Sequence, residues 1–200
     1  MKLYFTIIGG GLTLVAIANI LLNFISPINV LFWVITLAIA CGIIDGIVTL
    51  SVHLLPSKLF EPHKKAFKVS EKKISFYKKL GVKKWKERVP DLGQFANFKK
   101  NKIQDPFNLT YMHKFLVENC YGDMIHLVSG FMGFIIVLFP PVNIAFSIAL
   151  PVAIINFVIN YMPAIIQRYN RPKLLSIYNR LLKNEMQKLD DEMKESFQQQ

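Results

Sequence analysis

Four long stretches of this chain are almost free of charge, and no other property restricts its fold as tightly. A hydrocarbon core about 30 Å thick is crossed by roughly 20 apolar residues in a helix. Stretches at about 3–25, 28–54, 124–140 and 142–167 approach or exceed that length. Backbone polar groups left unpaired in lipid are not tolerated and no alternating barrel pattern competes, so each stretch is expected to be a helix. Only 18% of the 200 residues are charged, and all but Asp45 are kept out of the four stretches, which excludes a soluble globular domain. The expected fold class is all-α: a single integral membrane domain over residues 1–200 with four transmembrane helices.

The links Ser26-Pro27 and Pro140-Pro141 are short and uncharged, so the spans are expected as two tight hairpins. The first stretch follows Lys2 as a secretory signal would. It is longer than a signal's apolar core and leads almost directly into the second span, so it is expected to be retained. Gly9-Gly10-Gly11, Gly42 and Gly46 predict close helix approach or bending. Asn19, Asn23, Asn156 and Asn160 predict hydrogen bonds between helices. Cys41 and Cys120 have neither the number nor the spacing of a disulfide framework or a zinc site.

Charge is concentrated between the hairpins. From Pro56 to Ile103 there are fifteen lysines and arginines against Glu61, Glu71, Glu87 and Asp91, which equals the whole formal net charge of +11. The positive-inside rule places this loop, residues 55–123, in the cytoplasm, and with it both termini of a multi-pass cell-membrane protein. Basic residues interleaved with Phe60, Phe67, Phe76, Tyr77, Trp85, Phe95 and Phe98 also suit nucleic acid on composition alone. Beside four spans, attraction to anionic headgroups, about 1 kcal/mol per basic residue, needs no further assumption. Membrane lipid rather than nucleic acid is the expected partner. Within the loop, 70–80 reads as an interfacial helix stopped by Gly81. Beyond Pro172, in the tail 173–200, Leu174, Tyr178, Leu181, Leu182, Met186, Leu189 and Met193 recur at helical spacing, so an amphipathic helix is expected to start there.

Candidates for chemistry are few. Gln167-Arg168-Tyr169-Asn170-Arg171-Pro172 closes the last apolar stretch and sets two guanidinium groups, a phenol and an amide at the headgroup level, an array suited to phosphate or carboxylate. Glu118, Asp123 and His126 lead into the third span, with His126 between the two carboxylates on a helical wheel. A histidine oriented by a carboxylate can take a proton from a hydroxyl nucleophile. The same residues also allow Glu118 and Asp123 to pair with lysines or Arg168 while His126 bonds across helices. Asp45, Thr49 and His53 share one face of the second span and admit a proton relay or a structural ion pair. There is no HxxxH or HExxH metal pattern, so no metal is expected, and no Gly-rich phosphate loop, serine elbow or HxxxxD motif.

Several segments carry a family resemblance. In the loop these are Leu55-Pro56 with Phe60, Glu71-Lys72, the run from Phe76 through Gly81 to Trp85-Lys86, and Val89-Pro90-Asp91. Before the third span comes Glu118-Asn119-Cys120-Tyr121-Gly122-Asp123-Met124-Ile125-His126, and at the end of the fourth Ile166 to Leu174, the most specific of the set. Together, over about residues 50–178, they resemble the glycosyl-4,4'-diaponeurosporenoate acyltransferase family. The resemblance implies transfer of a fatty acyl group to a hydroxyl of a glycolipid or glycosylated carotenoid at the cytoplasmic face. No bound cofactor is implied, and acyl-CoA or acyl-carrier protein would be the donor substrate. In that reading His126 is the base, Glu118 or Asp123 orients it, and Arg168 and Arg171 hold a phosphate or carboxylate. Tyr169 and Asn170 fix the headgroup, with Trp85 and Lys86 of the loop as further substrate-binding candidates. Two other readings stand beside it: a small multi-span methyltransferase or reductase, and a non-catalytic lipid-binding or assembly protein anchored by its basic loop.

Overall fold

The computed structural model describes residues 2–22, 25–89 and 105–198. Asn23 and the loop residues Pro90, Asp91, Phe95 and Phe98 lie outside them. All regular structure among the described residues is helical. Helix α1 spans Lys2–Leu21 and α2 Pro27–His53. Two short 3-10 turns, Ser57–Phe60 and Lys65–Phe67, lead to α3, Glu71–Lys79, and α4, Val82–Trp85, closed by a turn at Lys86–Arg88. Helix α5 spans Leu109–Met132 and tightens into a 3-10 stretch at Gly133–Leu138. After Pro140-Pro141 comes α6, Val142–Ile144, then a π turn at Ala145–Ala149 and α7, Leu150–Gln198. Four of these helical runs are long and apolar enough to cross a membrane: Leu3–Leu21, Pro27–His53, Leu109–Leu138 and Val142–Phe197.

Two boundaries differ from the sequence expectation. The apolar run of the third span, expected from about 124, extends back to Leu109, where Asn108 caps the helix by accepting a hydrogen bond from the Tyr111 amide at 2.9 Å. The fourth does not stop at Pro172: the helix expected to begin in the tail is the continuation of α7. An internal proline costs a helix about 3 kcal/mol or more. Here packing on both sides offsets that cost, since Arg171 is buried and Leu174 joins Met112, Phe115 and Leu116 in a core cluster. Ser70 caps α3, and Gly81 ends it in the left-handed region at φ 65°, which only glycine adopts without strain.

Helix α2 is apolar on nearly every side, so packing selects its inner face. In α2 the buried residues are Val30, Val34, Leu37, Cys41, Val48 and Val52, a stripe at helical spacing, whereas Ile35, Ile39, Ile43 and Ile47 stay exposed as a lipid-facing surface. Of the glycines on α1 and α2 only Gly11 makes a close approach: a Cβ there would lie 2.9 Å from Ile155 Cδ1. Gly9, Gly10, Gly42 and Gly46 have nothing within 4 Å of that position.

Prolines in the last helical run explain how α1 is attached. Pro163 has no N–H to return to the Ile159 carbonyl, and the Tyr4 hydroxyl donates to that carbonyl instead. Pro151 likewise cannot serve the Ser147 carbonyl, which accepts from Asn19 Nδ2 at 2.9 Å. Antiparallel α1 is thus pinned at two backbone groups that proline released.

Candidate active site

Helices α5 and α7 form the seam on which most of the polar candidates meet. Small residues of α5 make room for amides of α7: a Cβ on Gly122 would come within 2.5 Å of Gln167 Nε2, and one on Gly133 within 2.5 Å of Asn156 Nδ2. Polar side chains can therefore run down the helix contact without pushing the backbones apart.

At the basic-loop end of the seam, Asp123 is 1% exposed and holds both arginines of the hexapeptide. Arg168 Nε donates to its two oxygens at 2.8 and 3.0 Å, and Arg171 Nη2 donates to Oδ2 at 2.9 Å. Arg171 is itself 1% exposed. Its remaining donors reach Asn119 Oδ1 at 2.8 Å, the Asn119 carbonyl at 3.3 Å and the Phe67 carbonyl at 3.1 Å, and its guanidinium carbon lies 5.4 Å from the centre of the Phe67 ring. Expected to face headgroups, Arg171 instead locks the 3-10 turn of the basic loop onto α5 and α7. The reason is that Asn119 and Asp123, one turn apart on α5, offer acceptors matching the planar fork.

Arg168 keeps an open edge, with 21% of its side chain exposed, and also hydrogen-bonds Tyr77 of α3. Burial pushes the Tyr77 phenol above its usual value, and the Arg168 guanidinium opposes that shift. Tyr77, Val82 and Ile165 form a cluster with Trp85 and Tyr169 packed against it. Trp85 donates its indole N–H to the Leu80 carbonyl at 3.1 Å, and Lys86 Nζ reaches Asn170 Oδ1 at 3.5 Å. The hexapeptide and the 70–88 segment of the loop are thus one assembly.

Deeper in the seam lies a second network, around His126. Asn160 Nδ2 faces three acceptors: Asp45 Oδ2 at 2.9 Å, the Asn156 carbonyl at 3.1 Å and Asn156 Oδ1 at 3.3 Å. Asn156 Nδ2 adds a bond to Asp45 Oδ1 at 3.4 Å. These acceptors fix the Asn160 amide, so its Oδ1 is the atom that meets His126 Nδ1 at 3.2 Å. In the neutral ring Nδ1 therefore carries the hydrogen and Nε2 the lone pair.

The alternative pairing is the one this geometry displays: Asp123 binds Arg168, and His126 bonds across helices. Glu118, half-buried, has its charge beside Tyr121. The Tyr121 hydroxyl donates to the Leu55 carbonyl at 2.8 Å and its ring stacks on Phe60 and His53. Asp45 does not pair with His53, which donates from Nδ1 to the Thr49 carbonyl at 2.8 Å, while Thr49 donates to the Asp45 carbonyl at 2.7 Å. Both are local bonds along α2, so the Asp45 carboxylate faces α7.

Between the 86–87 turn, α5 and α7 is a cavity of about 600 Å³ whose walls include Lys86, Asn119, Gln167, Asn170 and Lys173. Asn119 and the position of Gln167 were not resolved by motif reading. Asn119 stands one turn before Asp123 on the same face, and that spacing is the signal that points to it.

The model of the glycosyl-4,4'-diaponeurosporenoate acyltransferase family matches residues 56–180, more than half of the chain. That span contains the basic loop, α5 and the seam face of α7, and it leaves out α1 and Asp45. No curated protein and no solved structure matches. The chain belongs to this family of acyltransferases, whose substrate is a glycosylated carotenoid acid.

Proposed function

We propose that this acyltransferase moves a fatty acyl group from a pantetheine thioester, as acyl-CoA or acyl-carrier protein, to a sugar hydroxyl of the glycosylated carotenoid acid at the cytoplasmic face, with His126 as general base. The observation that carries this reading is the fixed Asn160 amide, which orients the His126 ring through Nδ1 and so makes Nε2 the basic nitrogen of the neutral ring. The acceptor oxygen bonds to the acyl carbon as the C–S bond breaks. The hydroxyl proton passes to Nε2 and from there to the departing thiolate. Arg168 supplies the charge that meets a carboxylate or phosphate through its open edge, with Tyr169, Asn170, Trp85 and Lys86 framing it, while Asp123 holds that arginine in place. The orienting carboxylate for His126 is Asp45, acting through Asn160, in place of Glu118 or Asp123.

Replacing the amide tests the arrangement. Asn160→Leu removes the acceptor that sets the imidazole and is expected to lower kcat about 10- to 100-fold with KM little changed, followed as labelled acyl ester formed on the sugar. An unchanged kcat contradicts it.

The orientation follows from the net charge of +11 between the hairpins. Single cysteines placed at Ser70 and Gln187, both exposed, are expected to react with a membrane-impermeant thiol reagent only from the cytoplasmic side. Labelling of either from outside the cell overturns this topology.

A further inference from the structure

We propose that the cavity between the 86–87 turn, α5 and α7 is a slot for the pantetheine arm of the acyl donor, entered from the loop side and directed along the seam towards His126. The inference rests on the acyl-transfer reading and assigns this cavity to the donor, with Lys86 and Asn170 on the wall it shares with the surroundings of Arg168. Its shape is the first argument. On α7 the wall runs from Ile166 to Ile177, about 16 Å of helix at 1.5 Å per residue, so the space suits an extended chain better than a compact ring.

Its chemistry is the second. Gln167 is 1% exposed, and among the described residues neither its amide nitrogen nor its amide oxygen has a hydrogen-bond partner. An unpaired buried amide is costly, and a ligand that brings a donor and an acceptor together recovers that cost. A secondary amide does so with one group. Pantetheine carries two such amides separated by short methylene runs, which matches a wall where Asn119, Gln167 and Asn170 alternate with Phe115, Ile166 and Leu174. Lys173 and Lys86 suit the phosphate that ends the arm, and the exposed Glu87 balances one of their charges.

Direction is the third. Gln167 and Asn119 are the polar wall residues nearest the apolar spans. His126 lies seven residues beyond Asn119 on α5, and Asn160 lies seven residues beyond Gln167 on α7, two turns along the same faces. The cavity walls end at Asn119 and Gln167, and the proposed chain reaches from there along these faces towards the imidazole, where the thioester is needed.

The test uses the purified full chain in detergent, with CoA, free pantetheine, a pantetheinylated carrier protein and methyl glucoside as separate titrants. Pantetheine is expected to bind and to compete with CoA or with the carrier protein, whichever is the donor. Gln167→Leu should weaken pantetheine about tenfold, and Gly122→Ala, which crowds the same amide from the opposite helix, should do likewise. Lys173→Ala should weaken the phosphate-bearing ligand and leave pantetheine unchanged. Equal pantetheine affinity in wild type, Gln167→Leu and Gly122→Ala overturns the slot, as does methyl glucoside binding that depends on Gln167 in its place. Undiminished acyl transfer by Gln167→Leu would reject the slot while leaving the transferase reading intact. Absence of transfer by the wild type would reject that reading instead.

Discussion

His126→Ala is expected to lower acyl-transfer turnover by about 10²- to 10⁴-fold, the range a positioned general base contributes. The ring is half-buried, and its cross-helix bond is to Asn160. Asn160 and Asn156 remain tied to Asp45 without it, so the helix contact should survive. Turnover falls and the fold does not. The check is a rate measurement on protein whose melting temperature and elution volume match the wild type. Wild-type turnover, or a collapsed protein, would show that the imidazole serves packing.

The opposite pattern is expected at Asp123. Asp123→Asn leaves two guanidinium groups facing one neutral amide in a site where Asp123 and Arg171 are each 1% exposed. Breaking a buried pair by removing one partner costs about 3–5 kcal/mol, a large share of the roughly 5–15 kcal/mol that holds a domain together. Arg171 also carries the Phe67 carbonyl of the loop, so the loop should detach together with the loss of stability. Arg171→Met is expected to be milder, because it removes the cation and lets Asp123 keep Arg168. Thermal melting in detergent and protease sensitivity of the 57–67 segment report both effects. A melting temperature for Asp123→Asn within about 2 °C of wild type would contradict this account.

Much of the architecture was legible in composition, since exclusion of charge from long stretches follows directly from the cost of polar groups in lipid. Helix ends were less legible. The start of α5 was hidden because residues 109–123 mix polar with apolar side chains, so an apolar window begins too late, while the cap at Asn108 marks the true beginning. Pro172 looked like a stop because proline disfavours helix locally. What sequence does not show is that Arg171 and Leu174 on either side of it are buried and hold the turn together.

The site was legible in its parts and not in its pairings. Arg168, Arg171, Asp123 and His126 stood out as charges at the edge of apolar stretches. A helical wheel orders residues around one helix, and the pairings depend on which residues of α7 meet α5. Register between the two helices places Arg168 and Arg171 opposite Asp123, and Asn160 opposite His126. Asp45 comes from α2, and its reach to Asn160 crosses 115 residues of sequence. Of the asparagines read as links between helices, Asn19, Asn156 and Asn160 are such links, and Asn160 has the additional property of setting a tautomer.

The central claim, that this seam transfers an acyl group by way of His126, is tested most directly by reconstitution. Purified full-length chain in vesicles would be given glycosyl-4,4'-diaponeurosporenoate and an acyl-CoA or acyl-carrier protein labelled in the acyl chain. The account predicts that label appears as an ester on the sugar with wild-type protein and is nearly absent with folded His126→Ala. Ester formation at equal rates by both proteins would contradict the assignment of the base, and no ester from the wild type with either donor would contradict the account itself.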